Sequence, residues 1–513
     1  MKPAIFAVYC ALCATVPCLR GADAPAAARP NIVLILADDI GYGDVRCLNP
    51  AGKIATPQMD RLAAAGMVFT DAHSGSAVCT PTRYGILTGR YSWRSKLQNG
   101  VLGGFSPRLI EPGRLTVPAL LKQHGYATAC IGKWHLGMDW PLKEGGTAQD
   151  YGDGWKVDYA RPIANGPNAV GFDYYFGISA SLDMPPYVFI ENDRCQGIPT
   201  VEKAWIRKGP AHADFEAVDV LPKLAAKAVA WIEQRAAAAK QGRPLFLYLP
   251  LASPHTPIVP AAAWQGKSGI NPYADFVMQT DAAVGEIAQA LERCGLAENT
   301  LLLVTSDNGC SPQADFKTLA EHGHDPSAGW RGAKADIFDG GHRIPLIVHW
   351  PGKVTAGARC AQTVWLGDLM ATCAELVGAK LPDDAGEDSV SLLPVLLGRA
   401  ERRLHEAVVH HSINGSFAIR QAEWKLSLCG DSGGWSPPRP GSPAAADLPP
   451  VQLYDLLNDP AETKNLWQQQ PEVVGRLTQL LERYVADGRS TPGARQPNAV
   501  KVVIQKPRGR KKA

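Results

Sequence analysis

Five short runs of uninterrupted apolar residues constrain the fold of this chain more than any other feature: NIVLILA (31–37), ATACI (127–131), LFLYLPL (245–251), LLLVT (301–305) and PLIVH (345–349). A strand with one face in water alternates apolar and polar side chains. Runs without that alternation are buried on both faces, as in the parallel sheet of an α/β protein. Between the runs lie helical patterns with clear stops. TPQMDRLAAAG ends at Gly66, TVPALLKQHG at Gly125, and the stretch from Tyr273 to Cys294 at Gly295. Each glycine stands where a left-handed C-cap is expected. The predicted fold class is α/β: a large mixed, mostly parallel sheet sandwiched by helices on both faces.

At 513 residues, 46% hydrophobic and 20% charged, the chain suits one large domain plus a smaller one and is too apolar for disorder across its body. Past roughly Gly378 the character changes. AVVHHSINGSFAIRQAEWKLSLCG holds two short strand-like runs joined by turn residues. A Pro/Gly/Ser-rich loop follows, and a helix over Pro471 to Asp487 closes the region. The expected organisation is a large domain over 29–378 that carries the chemistry, a smaller α+β domain with an antiparallel sheet over 379–490, and a solvated basic tail over 491–513. Six of the 52 Lys and Arg residues fall in 501–513, leaving 46 against 49 Asp and Glu elsewhere. The body is thus slightly acidic, and no nucleic-acid partner is expected.

At the N-terminus, Lys2 precedes an apolar run too short to span a bilayer, and the small residues of GADAPAAA follow. This is the pattern of a secretory signal peptide over 1–24, with several candidate cleavage points; a buried N-terminal helix is the alternative. No second stretch approaches ~18 consecutive apolar residues, so an exported protein, periplasmic or secreted and without a membrane span, is predicted.

Ligands of open α/β sheets bind beyond the carboxyl ends of the strands, so the residues after each run matter most. Asp38 and Asp39 follow the first run, Gly132-Lys133-Trp134-His135 the second, Ser253-Pro254-His255 the third and Ser306-Asp307-Asn308-Gly309 the fourth. Adjacent acids alone commonly cap helices or face solvent. A second acid–amide pair beyond another strand turns Asp38, Asp39, Asp307 and Asn308 into an all-oxygen set of the kind Ca²⁺ or Mg²⁺ prefers. Lys133 and His135 stand two apart in an extended segment and are expected on one side. A lysine neutralises developing negative charge and a histidine moves protons. His255 sits between prolines on a stiff loop, and Lys334, in WRGAK, is a flexible cation; alone, each reads as structural or as surface. In VCTPTRYGILTGR (78–90), Cys79 precedes a predicted helix start with Pro81 near its first position. Helix dipole and free N–H groups there favour an anion. Read from the residues alone, Cys79 is a buried thiol or a low-pKa thiolate.

Cys79-Thr80-Pro81-Thr82-Arg83, followed by Leu87-Thr88-Gly89-Arg90, resembles the Cys-x-Pro-x-Arg signature of type I sulfatases of the alkaline phosphatase superfamily. NIVLILADDIGYGD, GKWHLG, SPHTP, SDNG, RGAKADIFDGGHRIPLIVHWPG and LYDLLNDPAETKNL follow the family's order, and the resemblance spans about residues 30 to 487. It implies that a maturation enzyme converts Cys79 to formylglycine, held by Arg83. It further implies one cation, Ca²⁺ with Mg²⁺ as the alternative, on Asp38, Asp39, Asp307, Asn308 and the modified Cys79. Lys133, His135, His255 and Lys334 then contact the sulfate and its leaving oxygen, with His135 as base and His255 as acid. Thr82 and Asp339 depart from the commonest family residues.

The implied activity is hydrolysis of sulfate monoesters, on a sulfated glycan or a small aryl ester. The insertion 139–200, rich in Trp, Tyr, Asp and Gly, is the candidate pocket wall, and sulfated carbohydrate is the preferred class. A phosphate or phosphonate ester hydrolase of the same superfamily and a non-catalytic secreted glycan-binding protein are the rival readings. Three of the twelve cysteines lie in the leader. Nine remain, without CxxC spacing, and setting aside Cys79 leaves eight, which permits disulfides without fixing their pairing.

Overall fold

The structure is a computed structural model that describes Met1 and residues 29–505, so the leader falls outside the described residues. At its centre Asn31–Asp38 pairs in parallel with Leu245–Pro254 on one side and with Thr300–Ser306 on the other. Ala127–Lys133 and then Tyr174–Ile178 continue the parallel order beyond Leu245–Pro254. On the opposite side Leu346–His349 runs antiparallel to Thr300–Ser306, with Met67–Phe69 antiparallel to it in turn. Ten strands form this sheet among the described residues. All five apolar runs are strands in it, and the fifth, antiparallel, makes the sheet mixed.

Why those runs lack alternation is plain from the first. Ile32, Leu34 and Leu36 face one apolar layer while Val33, Ile35 and Ala37 face the other, all at most 3% exposed. One face carries Pro57–Ala64, Val220–Lys240 and Pro272–Arg293; the other carries Cys79–Thr88, Val117–Gln123 and Leu369–Val377. Full burial of each large aliphatic side chain contributes roughly 1.5–3 kcal/mol, which fixes the register of the central strands.

Two of the three glycine stops behave as predicted: Gly125 and Gly295 have φ of +86° and +63°. Gly66 does not have a positive φ. A Cβ there would lie 2.3 Å from the Val348 carbonyl, so this glycine lets the helix exit press against the sheet.

The smaller domain is a four-stranded antiparallel sheet, Val408–His411, Phe417–Gln421, Trp424–Ser427 and Gln452–Asp455 in that order, with the helix Pro471–Asp487 packed on it. Segment 407–430 thus holds three strands where two are expected. The extra turn is Ala422-Glu423, with Ala422 at φ +57°, and neither residue is a turn former that sequence reading would single out. Tyr91, Trp93 and Trp365 of the large domain share a core with this sheet.

The expected tail also needs correction over 491–505. Ala499 donates to the Arg94 carbonyl at 2.7 Å, Arg90 reaches the Pro497 carbonyl at 2.8 Å, and Val502 and Ile504 pack against the shared core. Buried arginines with unmet donors hold this segment down. The nine described cysteines are all free.

Candidate active site

Four parallel strands deliver their last residues to one edge, as the apolar runs predict. Asp38 is the last residue of its strand and Lys133 of another; Asp307 and Asn308 follow Ser306, and His255 follows Pro254. The strand Tyr174–Ile178 contributes a fifth set that sequence reading missed. Its YYFGI is short and interrupted by glycine, so Ser181 is legible in the sequence only as part of the candidate pocket wall 139–200. Ser181 Oγ accepts from Lys133 Nζ at 3.2 Å and lies 3.2 Å from His255 Nδ1.

Cys79 is the first residue of the helix Cys79–Thr88, only 3% exposed, with Val78 extended before it. Pro81 is therefore the third helical residue, a position whose missing N–H costs nothing. Thr82 Oγ1 donates to the Ser76 and Val78 carbonyls at 3.0 and 3.1 Å, which braces the turn that presents Cys79. Burial pushes the thiol pKa up, against the pull of the Lys133 and Lys334 charges. The low-pKa thiolate open to Cys79 in the sequence is thus disfavoured.

One helical turn on, Arg83 shares that face. Its Nη2 and Nε donate to Asp307 Oδ2 at 2.7 and 3.2 Å, and its Nη1 donates to the Lys133 carbonyl at 2.9 Å. Arg83 thereby ties the cysteine helix to two strand ends.

The two acid pairs interlock. Lys133 Nζ meets Asp38 Oδ2 at 2.6 Å, Lys334 Nζ meets Asp39 at 2.7 Å, and Asn308 Nδ2 donates to Asp39 Oδ1 at 2.7 Å. Asp39 turns away from the strand at φ +72°, and its N–H donates to Asp307 Oδ1 at 3.3 Å. Ala335 N–H bonds the Ala77 carbonyl at 2.8 Å, stitching the Lys334 segment beside Cys79. Gly309 is required at this edge because a Cβ would sit 1.8 Å from the Gly340 carbonyl.

Sharing one dry site drives the two acids apart. Burial opposes charge at Asp38, but Lys133, His255 and Arg83 outweigh it and hold its pKa far below the usual range. Burial and then the Asp38 charge push Asp307 up to about 7.

Two buried acceptors, Asp38 Oδ1 and Asn308 Oδ1, have no hydrogen-bond partner. Asp38, Asp39 and His255 offer ligand atoms within 4.8 Å of one another. Orphaned oxygens on a carboxylate and an amide, beside acids already crowded with charge, are what an oxygen-liganded cation would satisfy.

His135 is positioned by a route other than the one expected. The strand ends at Lys133 and His135 has φ +57°, so strand alternation does not set its direction. Its Nε2 lies 2.7 Å from the Leu102 carbonyl and Nδ1 has no partner. The Leu102 carbonyl accepts only a proton-bearing nitrogen, which leaves the Nδ1 lone pair free. His255 Nδ1 lies 2.6 Å from the Thr256 carbonyl and Nε2 lies 3.8 Å from Asp39 Oδ2. All the predicted residues thus gather at one edge. Asp339, the departure noted in the sequence, instead lies among Arg343, Lys425 and Glu462, beside the smaller domain.

A family profile described as Sulfatase matches residues 30–379. The N-acetylgalactosamine-6-O-sulfatase of Bacteroides thetaiotaomicron is 34% identical over 495 residues, covering 88% of this chain and 93% of that protein. Arylsulfatase A of Bos taurus is 32% identical over 481 residues, covering 89% and 87%. A solved structure from work on metabolism of multiple glycosaminoglycans by Bacteroides thetaiotaomicron superposes with a TM-score of 0.77 at 33% identity, covering 89% of this chain and 99% of that one. Matched by the profile across its large domain and by these relatives along most of its length, the chain belongs to the sulfatase family, hydrolases of sulfuric esters.

Proposed function

We propose that this sulfatase removes sulfate from sulfated carbohydrate, using a formylglycine made from Cys79 and one divalent cation, Ca²⁺ with Mg²⁺ as the alternative. The glycan-sulfatase name of the relative that is 34% identical supports the substrate class. One observation carries the chemistry. A buried cysteine whose thiol is held protonated stands at a helix N-terminus among Lys133, Lys334 and Arg83, next to unpartnered Asp38 and Asn308 oxygens. That setting suits a sulfate anion and an oxygen-bound cation, and makes an unmodified thiol a poor nucleophile.

Asp38, Asp39, Asp307, Asn308 and the modified Cys79 would hold the cation, which supplies positive charge toward the sulfate oxygens. A hydrated aldehyde at Cys79 supplies two hydroxyls on one carbon, one to attack sulfur and one whose deprotonation releases sulfate. Lys133 and Lys334, both buried, add fixed positive charge. With Nε2–H given to Leu102, His135 keeps Nδ1 open to accept a proton. Burial, then Lys133 and Arg83, hold its pKa well below the ordinary value, so it stays neutral at pH 7 and serves as the base. His255, fixed through Nδ1 on Thr256, is assigned the proton taken by the leaving oxygen.

We further propose that the chain is exported and meets its maturation enzyme before it closes around Cys79. No helix among the described residues is long and apolar enough to cross a membrane.

The test pairs chemistry with substrate. In the active protein, the peptide spanning Val78–Arg83 carries an aldehyde mass and reacts with hydrazides, and a panel of defined sulfated saccharides is desulfated. Full activity with a plain cysteine mass, abolished by alkylation, would sink the nucleophile. Activity on phosphonate esters in preference to every sulfate would sink the substrate class.

A further inference from the structure

From Cys79 an arc of neighbouring residues leads out of the site and back to it. Leu102 takes part in both ends of the chemistry: its N–H donates to Thr80 Oγ1 at 3.2 Å and its carbonyl receives His135. Tyr151 lies against the next residue, since a Cβ on Gly103 would sit 2.9 Å from the Tyr151 ring. Tyr151 is 40% exposed, and the helical turn Tyr151–Lys156 that it opens packs against the strand Arg207–Ala211. Arg207, at the turn of the hairpin Val201–Trp205/Arg207–Ala211, makes an ion pair with Asp183 Oδ2. Asp183 stands two residues beyond Ser181, whose hydroxyl contacts Lys133 and His255. The arc closes where it began.

One atom in this arc is unexplained. Asp183 is 5% exposed, and while Oδ2 meets Arg207, Oδ1 is buried without a hydrogen-bond partner. Leaving a buried carboxylate oxygen unmet costs roughly 1–3 kcal/mol or more, so a pair serving only the fold would be expected to close on itself. A cation is an unsuitable occupant: Arg207 already balances the one carboxylate, and, unlike Asp38, Asp183 belongs to no cluster of metal-ligating groups among the described residues. Neutral donors remain. Resting on the proposed carbohydrate substrate, we infer that Asp183, Arg207 and Tyr151 form the subsite that recognises the sugar bearing the sulfate. Asp183 Oδ1 accepts hydrogens from its hydroxyls, Arg207 donates to its oxygens, and the half-open Tyr151 ring lies along its apolar face. A subsite built to accept hydroxyl hydrogens penalises a substrate that has none, which separates a sulfated sugar from an aryl sulfate. Of the insertion 139–200, then, Tyr151 and Ser181–Asp183 are the parts that meet substrate.

The experiment compares kcat/KM on N-acetylgalactosamine 6-sulfate and on 4-nitrophenyl sulfate for the mature enzyme, Asp183→Asn and Tyr151→Ala. Asp183→Asn should lower the saccharide value about 100-fold, mostly through KM, and at least ~30-fold more than the aryl sulfate value. Tyr151→Ala, at a ring 40% exposed, should show the same preference at ~10-fold with its unfolding midpoint checked beside it. Equal losses on both substrates, or none on either, would overturn the subsite while leaving the sulfatase reading intact. A wild-type enzyme that turns over the aryl ester and no sulfated saccharide would remove the carbohydrate reading, and this inference with it.

Discussion

The cluster at the strand ends and a second cluster beside the smaller domain are equally dry, and both crowd carboxylates against cations. In the second, Asp339 accepts from Arg343 and Lys425, each at 2.8 Å, and Asp71 meets Arg343 and Arg420, each at 2.7 Å. Three buried histidines, His73, His342 and His410, bring ring nitrogens within metal-sharing distance there. Yet Arg420 lies 3.1 Å from His73 Nε2, and Lys425 lies 3.1 Å from His342 Nε2. Positive charge already stands where a metal would bind. At the strand ends, by contrast, Asp38 Oδ1 and Asn308 Oδ1 are left over. Clustering of ligand atoms therefore does not by itself mark a metal site: the strand ends leave two oxygens of one acid–amide set unfilled, while the second cluster leaves a single ring nitrogen, His410 Nε2, among cations. The second cluster balances its charges with its own cations, leaving only His410 Nε2 without a partner, and joins two domains; the strand ends keep two adjacent oxygens free for the proposed cation.

The widest gap between them should appear on removing one carboxylate. If Asp307 holds the cation as proposed, Asp307→Asn should lower kcat/KM about 10³-fold or more, because an anion-stabilising site then loses a ligand. Chelation should abolish wild-type activity, with calcium or magnesium restoring it. The unfolding midpoint of the metal-free protein should hold or rise in Asp307→Asn, since burial and Asp38 already push that carboxyl up to about 7. Activity surviving chelation, or a collapse of stability in this variant, would place the two clusters in one class.

Lys425→Met is the reciprocal test. It leaves Asp339 and Glu462 without their shared ammonium, both buried, and a broken buried pair costs about 3–5 kcal/mol. Denaturant unfolding should show that loss, while kcat per folded molecule stays within ~3-fold. A large fall in kcat with unchanged stability would instead tie this cluster to catalysis.

Acid should also act on the second cluster. Burial pulls His73 down to about 4 and His342 and His410 well below their ordinary 6.5. Below pH 6.5 the unfolded chain binds protons that the folded chain refuses. Stability is thus complete above that pH and declines as pH falls toward 4, by up to ~1.4 kcal/mol per pH unit for each histidine. His410→Asn, at a residue whose Nδ1 contacts the Ser74 carbonyl at 3.3 Å and whose Nε2 is unpartnered, should flatten that decline by about one proton. An unchanged slope would show that His410 is protonated in the fold.

The two clusters also differ in how far the chain announces them. Strand ends are legible because continuous apolar runs locate the strands, and Asp38-Asp39, Lys133, His255 and Asp307-Asn308 follow them directly. Ser181 and Asp183 are legible only as members of the candidate pocket wall 139–200, because the strand before them is five residues long and broken by Gly177. The second cluster draws on residues from Asp71 to Glu462 with no recurring spacing, so only the packing of the smaller sheet on the larger domain assembles it. His135 was found for a reason that does not hold: it stands at the right edge, but in a left-handed turn instead of an extended strand.

The C-terminus divides within itself, and its last eight residues carry the smallest effect. Residues 491–505 complete the hydrogen bonding of buried arginines: Arg90 through the Pro497 carbonyl at 2.8 Å, and Arg94 through Asn498 Oδ1 at 3.1 Å. Deleting from 491 onward strips those acceptors, at roughly 1–3 kcal/mol for each buried donor, and should lower the unfolding midpoint. Residues 506–513 carry five of the six basic residues of 501–513. Deleting only these should leave both the midpoint and hydrolysis of 4-nitrophenyl sulfate unchanged. If their charge draws in long polyanionic glycans, the rate on such chains should fall a few-fold at low salt and recover its wild-type ratio near ~1 M, where the screening length is about 3 Å. Loss of small-ester activity in this shorter deletion would show that the last eight residues support the fold as 491–505 do.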